Sequence, residues 1–203
     1  MPAIGVLALQ GAVQEHLDCL NALPDIEGIA VKKAAEINAV DGLILPGGES
    51  TTMGKLLREF DLSQRIIDRV QSGMPVWGTC AGMILLAKKI VGQDNCHLGL
   101  MDITVQRNAY GSQLDSFTTE AVIPEISPDA IPLVFIRAPY VENAAVNVTI
   151  LATVDGKIVA VEEKNMLATA FHPELTNNLA FHSYFAAKVK ASKNNSICSC
   201  LAR

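Results

Sequence analysis

The chain has 203 residues, half of them hydrophobic and 18% charged, a composition that fills one core and excludes a disordered protein. Its net charge of -5 comes with no basic cluster, which argues against nucleic-acid binding. No apolar run approaches the roughly 20 residues of a membrane-spanning helix, and "MPAIGVLALQGA" lacks a basic leader, so a cytoplasmic protein is expected.

"AIGVLAL" reads as a first strand, after which Val13, Leu17 and Leu20 fall at helical spacing. "GIAVKKA" and "GLILP" give two more strands, and Ser50 is an N-cap candidate for a helix through "STTMGKLLREF". Leu62, Ile66, Ile67 and Val70 continue the helical repeat as far as Gly73. "MPVWGT", apolar on both faces, fits a strand of a parallel sheet covered by helices. The middle of the chain then turns β-rich. "MDITVQRN", "SFTTEAVIP" and "PLVFIRAP" follow one another without a helix, and "VTILATV" and "KIVAVEE" flank an Asp155-Gly156 hairpin turn. "MLATAFHPE" is a further strand, and a last helix is expected from about Asn177 to Ala191, with Leu179, Tyr184, Phe185 and Val189 inward. From Ser192 the periodicity is lost. The pattern predicts one α/β domain over residues 1–191, with a mainly parallel central sheet and a mixed-β insertion, then a disordered tail over 192–203.

Five scattered cysteines imply reduced thiols without a disulfide framework, and the lone Cys198-x-Cys200 pair is a weak metal signal, so no metal is predicted. Cys80 stands apart. It sits in Gly78-Thr79-Cys80-Ala81-Gly82 between an apolar strand and an apolar helix, which is the cysteine form of a nucleophile elbow. A structural core cysteine is the alternative. In the elbow, the helix start places the Ala81 N–H where it can hold an oxyanion.

Of the four histidines, His16 and His182 lie in helical patterns and His97 follows a polar loop, so packing or surface roles are expected for them. His172 closes a strand and precedes Pro173-Glu174, a turn that folds Glu174 back toward the imidazole. In "LILPGGESTTMGKL", Gly47-Gly48 exposes backbone N–H groups suited to a second oxyanion donor or a ligand carboxylate. A phosphate loop would end in Lys-Ser/Thr, which is missing here. Arg107 and Arg137, each at a strand end, are candidates for the head group of an amino acid.

"GTCAG" with "HPE" resembles the class I glutamine amidotransferases, whose Cys-His-Glu triad sits on a flavodoxin-like three-layer domain. "LALQGAVQEH", "LPGGESTTM", "RNAYGSQLDSF", "FIRAPYVE" and "ATAFHPEL" narrow the resemblance to the glutaminase-subunit family of pyridoxal 5′-phosphate synthases, over roughly residues 3 to 190. The resemblance implies L-glutamine hydrolysis without a cofactor. Ammonia would pass to a (β/α)₈-barrel synthase subunit for vitamin B6 biosynthesis. It implies Cys80 as nucleophile, His172 as base and acid, and Glu174 as orienter. Gly48, Glu49, Ser50, Arg107, Ile136 and Arg137 match glutamine-binding positions, and Gln10 is expected near the oxyanion loop at the partner interface. A cysteine peptidase or another amidotransferase subunit on the same scaffold is a rival reading. A binding protein with Cys80 as core or redox sensor is another.

Overall fold

The computed structural model describes residues 1–107 and 116–201, and side chains as far as residue 194. Most of "RNAYGSQLDSF" and the side chains of Cys198 and Cys200 therefore lie outside the described residues.

The first half alternates strand and helix: β1 (Ala3–Leu7), α1 (Val13–Asn21), β2 (Glu27–Val31), α2 (Ala34–Ala39), β3 (Gly42–Leu45), α3 (Ser50–Glu59), α4 (Leu62–Gln71), β4 (Val76–Thr79) and α5 (Ala81–Leu86). β5 (Ala87–Ile90), β6 (Met101–Gln106), β7 (Ser116–Ile123), β8 (Ser127–Ile136), β9 (Tyr140–Ala144), β10 (Thr149–Val154), β11 (Lys157–Glu163) and β12 (Met166–Thr169) follow, before a 3₁₀ turn (Pro173–Leu175) and α6 (Ala180–Leu201).

Five strands run parallel in the order β2-β1-β3-β4-β12. This is the flavodoxin-like order, with its switch point between β1 and β3. The expected mixed-β insertion extends the same sheet rather than forming a separate body. β11 pairs antiparallel with β12, and β9, β6 and β5 continue outward, while β7 and β8 form a separate ribbon.

Every residue of β3, β4 and β12 is buried, which requires cover on both faces. Alternation in β4 shows the two layers. Trp77 points to α1 and α6, against His16, Phe181, His182 and Phe185. Its neighbour Gly78 points the other way, onto α5. The same aromatic core ties in the ribbon: Phe135 of β8 meets Phe171 edge-on at 5.6 Å, and Phe171 meets Phe181 at 5.2 Å.

The predicted hairpin is present, with Asp155 and Gly156 both at positive φ (49° and 74°) between β10 and β11. Other details differ from the sequence pattern. "GIAVKKA" stops as a strand at Val31, because the Glu36 carboxylate accepts the N–H groups of Lys32 (2.6 Å) and Lys33 (3.0 Å) and starts α2. β9, with Val141 its one fully buried residue, has almost no apolar signature and is held by pairing with β6. α6 begins at Ala180, where Asn178 Oδ1 accepts the backbone N–H. Its backbone then continues past Ala191 to Leu201. Ser192 Oγ donates to Gly73 O (3.1 Å) and Lys193 Nζ reaches Asp41 Oδ2 (2.8 Å), contacts that a search for apolar periodicity does not see. Among the described residues, no helix is long and apolar enough to cross a membrane.

Candidate active site

Four loops at the carboxyl ends of β1, β3, β4 and β12 converge on one cleft of about 370 Å³. They bring Gln10, Gly47-Gly48, Cys80-Ala81 and His172 to its walls. Glu49, Ser50, Arg107, Ile136 and Arg137 also line it, so every sequence-predicted site residue except Glu174 faces this space. Glu174 lies behind the wall, buried against His172.

Cys80 adopts φ 47°, ψ -101°, a strained turn for a residue with a side chain. The flanking glycines explain how the chain tolerates it. A Cβ on Gly78 would lie 2.4 Å from the Gly82 carbonyl carbon, and one on Gly82 would lie 2.0 Å from the Leu45 carbonyl oxygen. Strand β4, helix α5 and strand β3 therefore cross at backbone contact, and Cys80 is displayed at the crossing. Its backbone N–H donates to Thr169 O (2.7 Å) and its thiol approaches Ile136 O (3.9 Å). Ala81 opens α5, so its N–H lies outside the helix's own ladder.

His172 is held from three sides. Its backbone N–H donates to Val134 O of β8 (2.8 Å), and its Nδ1 meets Glu174 Oε1 at 2.7 Å. Nε2 is left for Cys80, the other group that acts on the ring. Burial alone would lower the imidazole pKa, but the hydrogen bonds and charges of Cys80 and Glu174 outweigh it and push the value up to about 10. An imidazolium is therefore the favoured state of His172 at neutral pH.

The glycine loop is pinned from the β1 side. Gly47 O accepts the Ala12 N–H (3.0 Å), and the Glu49 N–H donates to Gln10 Oε1 (2.8 Å). Gly47 packs directly on the His172 ring. The Glu49 carboxylate caps α3 through the N–H groups of Thr51 and Thr52 and meets Arg107 Nη2 at 3.3 Å. Partial burial acts to raise its pKa, yet the bonds from Thr52 and Thr51 hold it below the usual carboxylate value. Arg137 takes a left-handed φ of 46° at the end of β8. Both arginines thus reach the cleft, although Arg107 is already partnered.

Sequence reasoning missed a layer beneath the triad. His16 and His182 are fully buried, and their rings meet at 3.0 Å (Nδ1 to Nε2). His16 Nε2 lies 3.2 Å from Thr79 Oγ1 and 3.5 Å from Glu174 Oε2. Burial, then the charges of His182 and His172, keep the His16 pKa well below normal, and burial lowers that of His182 to about 4. Both rings are neutral at pH 7. The available signal was positional, since His16 falls within the apolar stripe of Val13, Leu17 and Leu20. Among the described residues, no cluster of His, Cys, Asp and Glu could hold a metal ion.

The model of the SNO glutamine amidotransferase family matches residues 6–191. A pyridoxal 5′-phosphate synthase subunit PdxT of Ruminiclostridium cellulolyticum is 57% identical, over 93% of this chain and 100% of its own. Its counterpart of the same name in Clostridium botulinum is 50% identical over 95% and 100%. Among solved structures, a glutamine amidotransferase superposes with a TM-score of 0.86 at 40% identity, covering 92% of this chain and 98% of that one. A putative GMP synthase protein of Thermoplasma acidophilum, at TM-score 0.68 and 18% identity over 97% and 98%, shares the fold.

Proposed function

The chain belongs to the SNO glutamine amidotransferase family, and from that premise we propose that it hydrolyses L-glutamine to L-glutamate and ammonia as the glutaminase subunit of a pyridoxal 5′-phosphate synthase. The observation that carries this reading is that Cys80, His172 with Glu174 bonded behind it at 2.7 Å, and two arginines converge on one cleft.

On this reading Cys80 Sγ attacks the side-chain carboxamide carbon, and the electrons of its C=O bond move to oxygen. The oxyanion is held by the Ala81 N–H and an N–H of the Gly47-Gly48 loop. His172 gives its Nε2 proton to the departing nitrogen, and collapse of the intermediate releases ammonia and leaves a glutamyl thioester. His172, now neutral, takes a proton from water as the water attacks the thioester. Glutamate departs, and thiolate and imidazolium are restored. Glu174 orients the ring and stabilises its charged form. Arg107 and Arg137, with Gly48, Glu49, Ser50 and Ile136, hold the α-amino acid end of glutamine.

The partner is a (β/α)₈-barrel synthase subunit that receives the ammonia, docked near Gln10. Glutamate release from glutamine, measured with and without that subunit, tests both parts. Activity should rise on docking and vanish in Cys80→Ala, whereas full turnover by Cys80→Ala would refute the mechanism. Equal rates with and without the partner would refute coupling alone.

A further inference from the structure

The triad's carboxylate presents an arithmetic problem. Glu174 is buried, and only Oε1 is used by His172. Oε2 has no hydrogen-bond partner at ordinary distance, an expensive condition for a charged oxygen. His16 Nε2 lies 3.5 Å from it, on a fully buried ring from a different element.

The protonation of that ring can be worked out from its neighbours. Suppose His16 carried its proton on Nδ1. It would then donate to His182 Nε2, which would move the His182 proton to Nδ1, where it has no partner. The His16 Nε2 lone pair would also face the carboxylate. That arrangement leaves a buried orphan N–H and a repulsion, so it is disfavoured. In the other tautomer His182 Nε2–H donates to His16 Nδ1, and His16 Nε2–H donates to Thr79 Oγ1 at 3.2 Å with Glu174 Oε2 beside it at 3.5 Å. Only a bare acceptor at His182 Nδ1 is then left unmatched. Edge-on packing of His16 and His182 against Trp77, with centroids 5.6 and 5.0 Å from the indole, fixes both planes.

We propose that His16 is a positioning residue of the triad, its Nε2–H holding the outer oxygen of Glu174 while His182 dictates its tautomer. The sequence of contacts is then His182, His16, Glu174, His172, Cys80, and it runs from α6 through α1 to the nucleophile. His16 touches no substrate and carries no charge. Its work is to keep Oε1 aimed at His172. The proposal deepens the glutaminase reading and rests on it for the identity of the substrate alone.

Two polar substitutions separate positioning from simple packing. The amide of His16→Gln reaches the place of Nε2 and can donate to Glu174. The amide of His16→Asn reaches only the place of Nδ1 and cannot. With the synthase partner present, His16→Asn and the apolar His16→Leu should lose about tenfold or more in kcat, with KM for glutamine within about twofold. His16→Gln should stay within about threefold of the parent chain. Alkylation of Cys80 by iodoacetamide at neutral pH should follow the same ranking, because it reads the Cys80–His172 pair without glutamine. If His16→Leu fails to fold, the Gln and Asn variants still decide the matter. Parent-like kcat and alkylation in His16→Asn, or equal losses in Asn and Gln, would overturn the proposal. A parent chain that releases no glutamate yet keeps the alkylation ranking would sink the glutaminase reading and leave His16 in place.

Discussion

Gly47→Ala is the sharpest single test of the site, because the structure gives its consequence as a distance. A Cβ at position 47 would sit 2.3 Å from His172 Cε1 and 2.8 Å from Nδ1, where ordinary contact begins at 3.4 Å. The methyl cannot be avoided by a backbone of the wrong sign, since Gly47 is not among the positive-φ residues. His172 must therefore retreat by about 1 Å, which is the scale at which misplacement costs about a hundredfold in rate. It cannot do so freely. Its backbone N–H is bonded to Val134 O and its Nδ1 to Glu174 Oε1, so the shift stretches the 2.7 Å contact that supports the imidazolium. Gly48→Ala is the control. Its Cβ would meet Gln10 Oε1 at 2.6 Å, the end of a flexible side chain that can swing away, and the Gly11 Cα at 3.2 Å, a far smaller intrusion on backbone and away from His172. The assay is iodoacetamide alkylation of Cys80 together with kcat for glutamate release. Gly47→Ala should reduce both by about a hundredfold, while Gly48→Ala should leave alkylation near the parent rate. Unchanged alkylation in Gly47→Ala would refute the claim that this loop sets the imidazole position.

Arg107→Ala and Arg137→Ala should mainly raise KM, whereas Glu174→Gln should lower kcat with little change in KM, as steady-state kinetics on the complex would read directly. The three buried imidazoles also give thermal stability a defined pH dependence. His172, raised to about 10, contributes stability that is complete below its ordinary value of 6.5 and is lost as pH climbs through about 10. His16 and His182, both lowered, contribute stability that is present above 6.5 and is lost as pH falls below it, for His182 through about 4. Calorimetry across this range should show Tm falling on both sides, and Glu174→Gln should flatten the alkaline side. Truncation before Ser192 removes the Lys193–Asp41 pair and the Ser192–Gly73 bond, so stability should drop by about 1 kcal/mol while turnover is kept. A drop in kcat on truncation would show that α6 reaches the site through more than Phe181, His182 and Phe185.

Much of this site was legible because its geometry depends on residues with few alternatives. The Gly-x-Cys-x-Gly run needs glycines where two backbones touch, and the Pro173-Glu174 turn follows a histidine three residues past the end of a parallel strand. The parallel half of the sheet was legible for a similar reason, as β3 and β4 are apolar on both faces. What escaped was tertiary. β9 exists through its pairing, α2 starts on a side-chain cap from Glu36, and the later turns of α6 begin with polar anchors at Ser192 and Lys193. The His16–His182 layer escaped because 166 positions separate two residues that meet at 3.0 Å. Each taken alone fits a helix face. Their shared role exists only once α1 and α6 cover the same side of β4.

On the proposed reading, the same crossing of loops gives hydrolysis a way to be tied to a synthase partner. Both pins on the glycine loop come from residues 10–12: the Ala12 N–H on Gly47 O and the Gln10 side chain on the Glu49 N–H. Rotating the Gly47-Gly48 peptide breaks the first of these, at a net cost of about 1 kcal/mol. The oxyanion donor that such a rotation would add or remove is worth about 2.7–4 kcal/mol in the transition state. A small term therefore controls a large one. A partner that touches the loop after β1 has only to exchange one hydrogen bond to change the rate about a hundredfold. No movement of Cys80, His172 or Glu174 is needed. That division suits the rest of the geometry, where β4, β12, the ribbon and the two buried imidazoles hold the triad fast. On this hypothesis the acid–base machinery is fixed by the fold, and the oxyanion loop is the element left for the partner to set.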